Sequence, residues 1–164
     1  MTIIELMISS VLLLIVLVAV LSTFESVSNA QAFQADRTQN LDEMRGVLNR
    51  MTKDLRQATT VDETASTATT ITFSTAINGV STQIVYTASG TTLTRKIGSG
   101  TAFTVLKHLA STSIFTYVSA DSVTGIQWVG MNLQVTPARL PNTTLVLDSE
   151  VNLRNRTAAL EGSS

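Results

Sequence analysis

The sequence predicts an α+β protein: one long N-terminal helix, apolar in its first half and amphipathic in its second, packed on a mainly antiparallel β-sheet head. Three observations predict it. Residues 3–21 form an almost unbroken apolar run. Apolar residues from Leu41 to Ala58 recur at helical spacing. Beyond residue 58 the chain becomes rich in Thr and alternates at period two. The organisation that follows is an apolar transmembrane or filament-core helix at 1–24 and a head at 25–164. Within the head, 25–58 is the amphipathic helix half and 69–155 the β-rich region.

The first element reads IIELMISSVLLLIVLVAVL from Ile3 to Leu21. As a helix, a run of about 19 residues crosses a hydrocarbon core of about 30 Å. A signal peptide needs a basic flank ahead of its apolar core, whereas the first basic residue here is Arg37. A plain membrane anchor leaves Glu5 unexplained, because a carboxylate inside an apolar span costs a few kcal/mol, about 3. Glu5 needs a positive partner, and near that depth the chain supplies only the α-amino group of Met1. Its own amine lies about a turn away. In a staggered array of parallel helices a neighbour's amine could stand beside Glu5 instead, fixing the axial register.

With these residues on the page, MTIIELMISSVLLLIVLVAV resembles the mature N-terminus of type IV pilins and type II secretion pseudopilins. Thr2, Ile3, Ile4, Glu5, Leu6 and Met7 match that family's pattern in register, with the glutamate at the fifth position. The resemblance implies a prepilin peptidase that removes a leader and leaves Met1 as the processed, N-methylated residue. It also implies Glu5 and Met1 as assembly residues. Met1 stands where the family usually has Phe, and no leader ending in Gly precedes it, so the numbering is expected to start at the mature residue. Many relatives carry a helix-loosening Gly and Pro where Leu14 and Ser22 stand here. Local propensity therefore predicts a continuous helix from Leu14 to Phe24.

The second half of the helix, from Glu25 to about Ala58, holds no Pro and one Gly, Gly46. Leu41, Met44, Leu48, Met51, Leu55 and Ala58 form one stripe at spacings of three and four. Asp42, Glu43, Arg45, Arg50, Lys53, Asp54 and Arg56 are assigned to the opposite, solvated face. The stripe is expected to pack on the core of the head.

In the head, 61–70 reads as a polar loop. Strands are expected at Ile71–Thr75, Gln83–Thr87, Thr92–Ile97, Ser113–Val118, Gly125–Thr136 and Thr144–Leu153, five or six in all. Ala88-Ser-Gly-Thr closes a hairpin between the second and third. Pro137 and Pro141 bracket the loop before the last. Three short runs, Met51-Thr-Lys-Asp-Leu-Arg-Gln-Ala, Leu93-Thr-Arg and Glu150-Val-Asn-Leu-Arg-Asn, resemble J-type minor pseudopilins and W-type minor pilins, in the same order along the chain.

Little else carries chemistry. The formal charge is -1 with 14% charged residues, so no basic surface points to nucleic acid. There is no cysteine, which excludes disulfides and thiolate metal sites. His108 is the one histidine and reads as a surface or strand-end residue. No Gly-x-Ser-x-Gly elbow occurs, Gly98-Ser-Gly100 lacks the Lys of a phosphate loop, and no acidic set has EF-hand spacing. Asp42-Glu43 and Asp62-Glu63 read as solvated faces and loop residues. Asn142-Thr-Thr and Asn155-Arg-Thr match the N-glycosylation pattern, a match that arises easily in a Thr-rich chain. No catalytic, cofactor or metal site is expected. The expected function is a structural subunit of a type IV pilus-like filament, with adhesion, motility, DNA uptake or secretion left open. The alternative is a minor pilin or pseudopilin that primes or tips such a fibre. Expected partners are identical or related subunits, the prepilin peptidase and an inner-membrane assembly platform. The expected location is the cytoplasmic membrane before assembly and the cell surface afterwards.

Overall fold

The computed structural model describes residues 2–119 and 125–153. A single helix, α1, spans Ile3–Arg56, and eight strands follow: β1 Ala58–Val61, β2 Thr70–Ile77, β3 Val80–Ser89, β4 Thr92–Ile97, β5 Phe103–Lys107, β6 Phe115–Ser119, β7 Ile126–Val135 and β8 Leu145–Asn152. The architecture is α+β, and every strand pairing is antiparallel. The chain divides into two units, Met1–Thr38 and Gln39–Ser164.

α1 is unbroken through Leu14–Phe24, as the absence of Gly and Pro predicts. It ends at Arg56, where the Gln57 amide is shared between the carbonyls of Lys53 and Asp54 at 3.3 and 3.2 Å. Lys53 and Arg56 in the last turn complement the negative end of the helix dipole. The next residues, Ala58-Thr-Thr-Val, suit a pleated strand better than a helix. Ala58, read from sequence as the last member of the helical stripe, is instead buried as the first residue of β1.

The strands form two sheets, β1-β2-β3-β4-β5 and β6-β7-β8. Asn78 and Gly79 both adopt left-handed backbone (φ 51° and 79°), which makes the two-residue turn that joins Ile77 to its partner Val80. The β3–β4 hairpin closes where the sequence placed it, at Ser89 opposite Thr92. β1 and β5 are additions, so the described residues hold eight strands rather than five or six. The two sheets are stitched by the Leu109–Val135 bridge and by Ala110 N donating to Gln134 O at 2.8 Å. His108 sits exposed just past β5 with φ 60°, a strand-end residue as expected.

Met44, Leu48, Met51 and Leu55 lie in one buried cluster with Ile71, Phe73, Ile84, Leu93, Val129, Met131 and Leu133. Their spacing of four, three and four is the helical stripe read from sequence. One residue of the supposed solvated face is misassigned. Asp54 stands three residues after Met51 and next to Leu55, and its side chain is only 14% exposed. It accepts from Arg95 Nη2 at 2.8 Å, from Arg95 Nε at 3.0 Å and from the Tyr86 hydroxyl at 2.7 Å. Arg95 is itself buried, its guanidinium 5.7 Å from the Tyr86 ring centre and 5.9 Å from that of Phe103. A buried ion pair of this kind is costly to break, by about 3–5 kcal/mol, because the survivor keeps its charge without a partner.

Burial holds the Tyr86 phenol far above its ordinary value of 10.0, and the adjacent Asp54 carboxylate adds to the shift. Tyr117 is raised as well, chiefly by burial, and its hydroxyl donates to the carbonyls of Thr67 and Thr70 at 2.9 Å. The native state thus retains protons that the unfolded chain releases. This contribution is intact below the unfolded value of 10.0 and is lost as pH climbs toward the folded ones. In an alkaline titration, tyrosinate absorbance is expected to appear only together with loss of the native signal. Tyrosinate forming near pH 10.0 in an intact fold would contradict the burial of both phenols.

Candidate assembly site

The functional features gather on the N-terminal unit, and they begin with solvent exposure. Between Ile3 and Val27, seventeen large apolar side chains among the described residues are each at least 50% exposed. Val11, Leu12, Leu13, Leu14, Ile15, Val16, Leu17 and Val18 are consecutive, so the apolar surface runs all round the helix and forms no stripe. Ala19 leaves a shallow dent between Ile15, Val16, Val20 and Phe24. By length and composition α1 can cross a membrane.

Four hydroxyls of this stretch are turned back on their own helix. Ser9 Oγ donates to Glu5 O and Ser10 Oγ to Met7 O, each at 2.8 Å. Ser22 Oγ and Thr23 Oγ1 both donate to Ala19 O, at 2.9 and 2.8 Å. No hydroxyl among these four therefore needs water, which suits a surface destined for an apolar surrounding.

Glu5 closes the first turn. Thr2 precedes the helix, and its amide donates to Glu5 Oε2 at 3.1 Å. The Thr2 carbonyl accepts from Leu6 N at 3.3 Å. This is the reciprocal half of a capping box, Thr-x-x-Glu. The spacing is written in the sequence, yet the reading that sought a cation for Glu5 passed over it. The cap satisfies the Thr2 amide but brings no positive charge to the carboxylate. Neither ion pair found among the described residues involves Glu5. Met1, the expected site of processing and methylation and the source of the amine, lies outside the described residues.

The other expected residues scatter. Asn142 lies on the exposed turn between Pro141 and β8, and Asn155 lies outside the described residues. Asp42 pairs with Arg45 at 3.2 Å on an exposed helix face, a contact worth little. Asp62 and Glu63 are exposed loop residues, as expected, and each also accepts a backbone bond, Asp62 from Ala65 N and Glu63 from Ile126 N, both at 3.0 Å. Among the described residues, no three His, Cys, Asp or Glu are placed to hold a metal. Comparisons with protein-family models, with curated proteins and with solved structures found no match.

Proposed function

We propose that this chain is a structural subunit of a type IV pilus-like filament, assembled by burying residues 3–27 against the same helix of neighbouring subunits. The observation that carries the reading is the all-round apolar exposure of that stretch. A single docking partner covers one face of a helix. Only lipid on every side, or several neighbours at once, covers the whole circumference. At on the order of 1 kcal/mol for each half-exposed side chain, full burial contributes well over 10 kcal/mol per subunit. A fibre so built is close to irreversible in water. In this reading the chain spans the cytoplasmic membrane once before assembly, loses its leader to a prepilin peptidase, and is extracted by an inner-membrane platform. It has no catalytic role. The Glu5 carboxylate, in no ion pair among the described residues, meets the α-amino group of a neighbour's Met1 and sets the stagger.

A second reading, a minor pilin or pseudopilin that primes or tips the fibre, has one specific support. The runs that resemble J-type and W-type subunits contain Asp54 and Arg95, and these two residues form the buried ion pair. The two motifs therefore have a physical reason to occur together. Shearing cells tests the first reading: filaments released from the surface should contain this chain throughout their length. Its confinement to the fibre end would favour the second, and its absence from filaments would contradict both.

A further inference from the structure

The outer face of the β6–β7–β8 sheet has a chemistry that assembly through α1 leaves unused. Side chains alternate along β7, so Val129, Met131, Leu133 and Val135 enter the core. Trp128, Gly130, Asn132 and Gln134 take the opposite face. In register, Trp128 is flanked by Val118 and Asn152, Gly130 by Thr116 and Glu150, and Asn132 by Asp148. Trp128 is 39% exposed beside Val118 at 57%, an aromatic and aliphatic surface left in water at one end of a face whose middle is polar and whose far end carries Val146. Between Trp128 and Asn132 the strand contributes no side chain of its own, and the Thr116 side chain fills the space above Gly130. A side chain at Gly130 would collide with the Thr116 hydroxyl, which leans across that position. Beyond Gly130, Gln134 Nε2 donates to Asn132 Oδ1 at 2.8 Å, and Asn132 Nδ2 donates to Asp148. The amide and carboxylate dipoles are thus set in advance.

We propose that this face binds an uncharged carbohydrate, with one sugar ring seated on the Thr116 hydroxyl that covers Gly130 and against the Trp128 indole. The apolar C–H face of a pyranose matches an aromatic plane, and its hydroxyls need donors and acceptors together. Asn132 and Asn152 supply both, Thr116 does likewise, and Glu150 accepts strongly. Charge selects the ligand class. Asp148 and Glu150 lie on this face and no Lys or Arg does among the described residues of its strands, so phosphate, sulfate and nucleic acid are repelled. A cationic ligand fits less well: one aromatic makes no cage, Asp148 is already engaged by Asn132, and Glu150 stands beside Gly130 rather than at the indole.

Trp128 is the only tryptophan in the chain, so its fluorescence reports this face alone. The full chain is held in micelles of an uncharged polyoxyethylene detergent, which has no sugar headgroup. It is titrated with neutral trisaccharides of glucose, mannose, galactose and N-acetylglucosamine, and separately with tetramethylammonium. At least one trisaccharide is expected to give a saturable change, and tetramethylammonium none. Asn132→Ala and Glu150→Ala should each weaken the affinity by about tenfold, as loss of a hydrogen bond to a fixed polar group implies. Glu150→Ala should melt like the parent chain, since this side chain is exposed, and Asn132→Ala, which gives up its bonds to Gln134 and Asp148, should still melt cooperatively above the temperature of the titration. Trp128→Ala, followed by calorimetry, should remove the binding heat. Silence with all four sugars overturns the proposal. So does a response carried by tetramethylammonium, or sugar binding that survives both alanine substitutions at parental affinity.

Discussion

Replacing Glu5 with Leu is expected to abolish entry into filaments while the chain remains inserted in the membrane. The substitution removes the one charge from residues 3–24, whose other side chains are apolar or hydroxyls bonded to their own helix, so insertion is favoured. Assembly loses the pair that sets the stagger. Breaking a buried pair by deleting one partner costs about 3–5 kcal/mol per subunit, because the neighbour's amine stays buried without its counter-charge. The cap complicates a reading from Leu alone, since Glu5 also accepts from the Thr2 amide. Glu5→Gln separates the two roles. Glutamine serves in a capping box as glutamate does, yet carries no charge. Filament yield should collapse with Gln nearly as far as with Leu. Parental yield with Gln would assign Glu5 to the cap and dismiss the charge pairing.

Met51→Asp is expected to unfold the β-rich unit. Met51 is fully buried among Leu48, Leu55 and the strand residues of the core. A carboxylate there has no partner, because the Arg95 guanidinium is already satisfied by Asp54 and the Tyr86 hydroxyl. The cost is several kcal/mol, about 3–5, against a total stability of about 5–15. Met51→Leu conserves volume and should cost under about 1.5 kcal/mol. The near-ultraviolet signal of Trp128 and the two tyrosines gives the readout, since α1 can stay helical in a micelle after the head is lost. A cooperative melt of Met51→Asp within a few degrees of the parent would show that the stripe is not the core contact.

The parts of this fold legible in sequence are those where one periodicity dominates. Residues 3–21 have an apolar circumference that no compact domain of this size can cover. Met44, Leu48, Met51 and Leu55 keep a strict three-four spacing, and the β3–β4 hairpin is announced by alternation on both sides of Ser-Gly. What escaped depends on partners distant in sequence. Asp54 looks solvated beside Lys53 and Arg56 until Arg95, on a strand beyond two hairpins, comes to meet it. β5 is short and weakly alternating, and it exists because β4 offers an edge to pair with. The Asn78-Gly79 turn was fully written in the sequence, as was the Thr2-x-x-Glu5 cap. Both are local signals that attention to larger patterns passed over. Trp128 could be placed on a strand from sequence, but its face follows only from the register with β6 and β8.

The central claim is that the circumference of residues 3–27 is covered by neighbouring copies of itself. Image reconstruction of filaments sheared from cells tests it most directly. The account predicts a core of staggered, parallel α1 helices, with Glu5 of one subunit beside the N-terminal amine of the next and the β-rich units outside. A filament whose axis is built from the β-rich units, with residues 3–27 left on its surface or absent from it, would contradict the account.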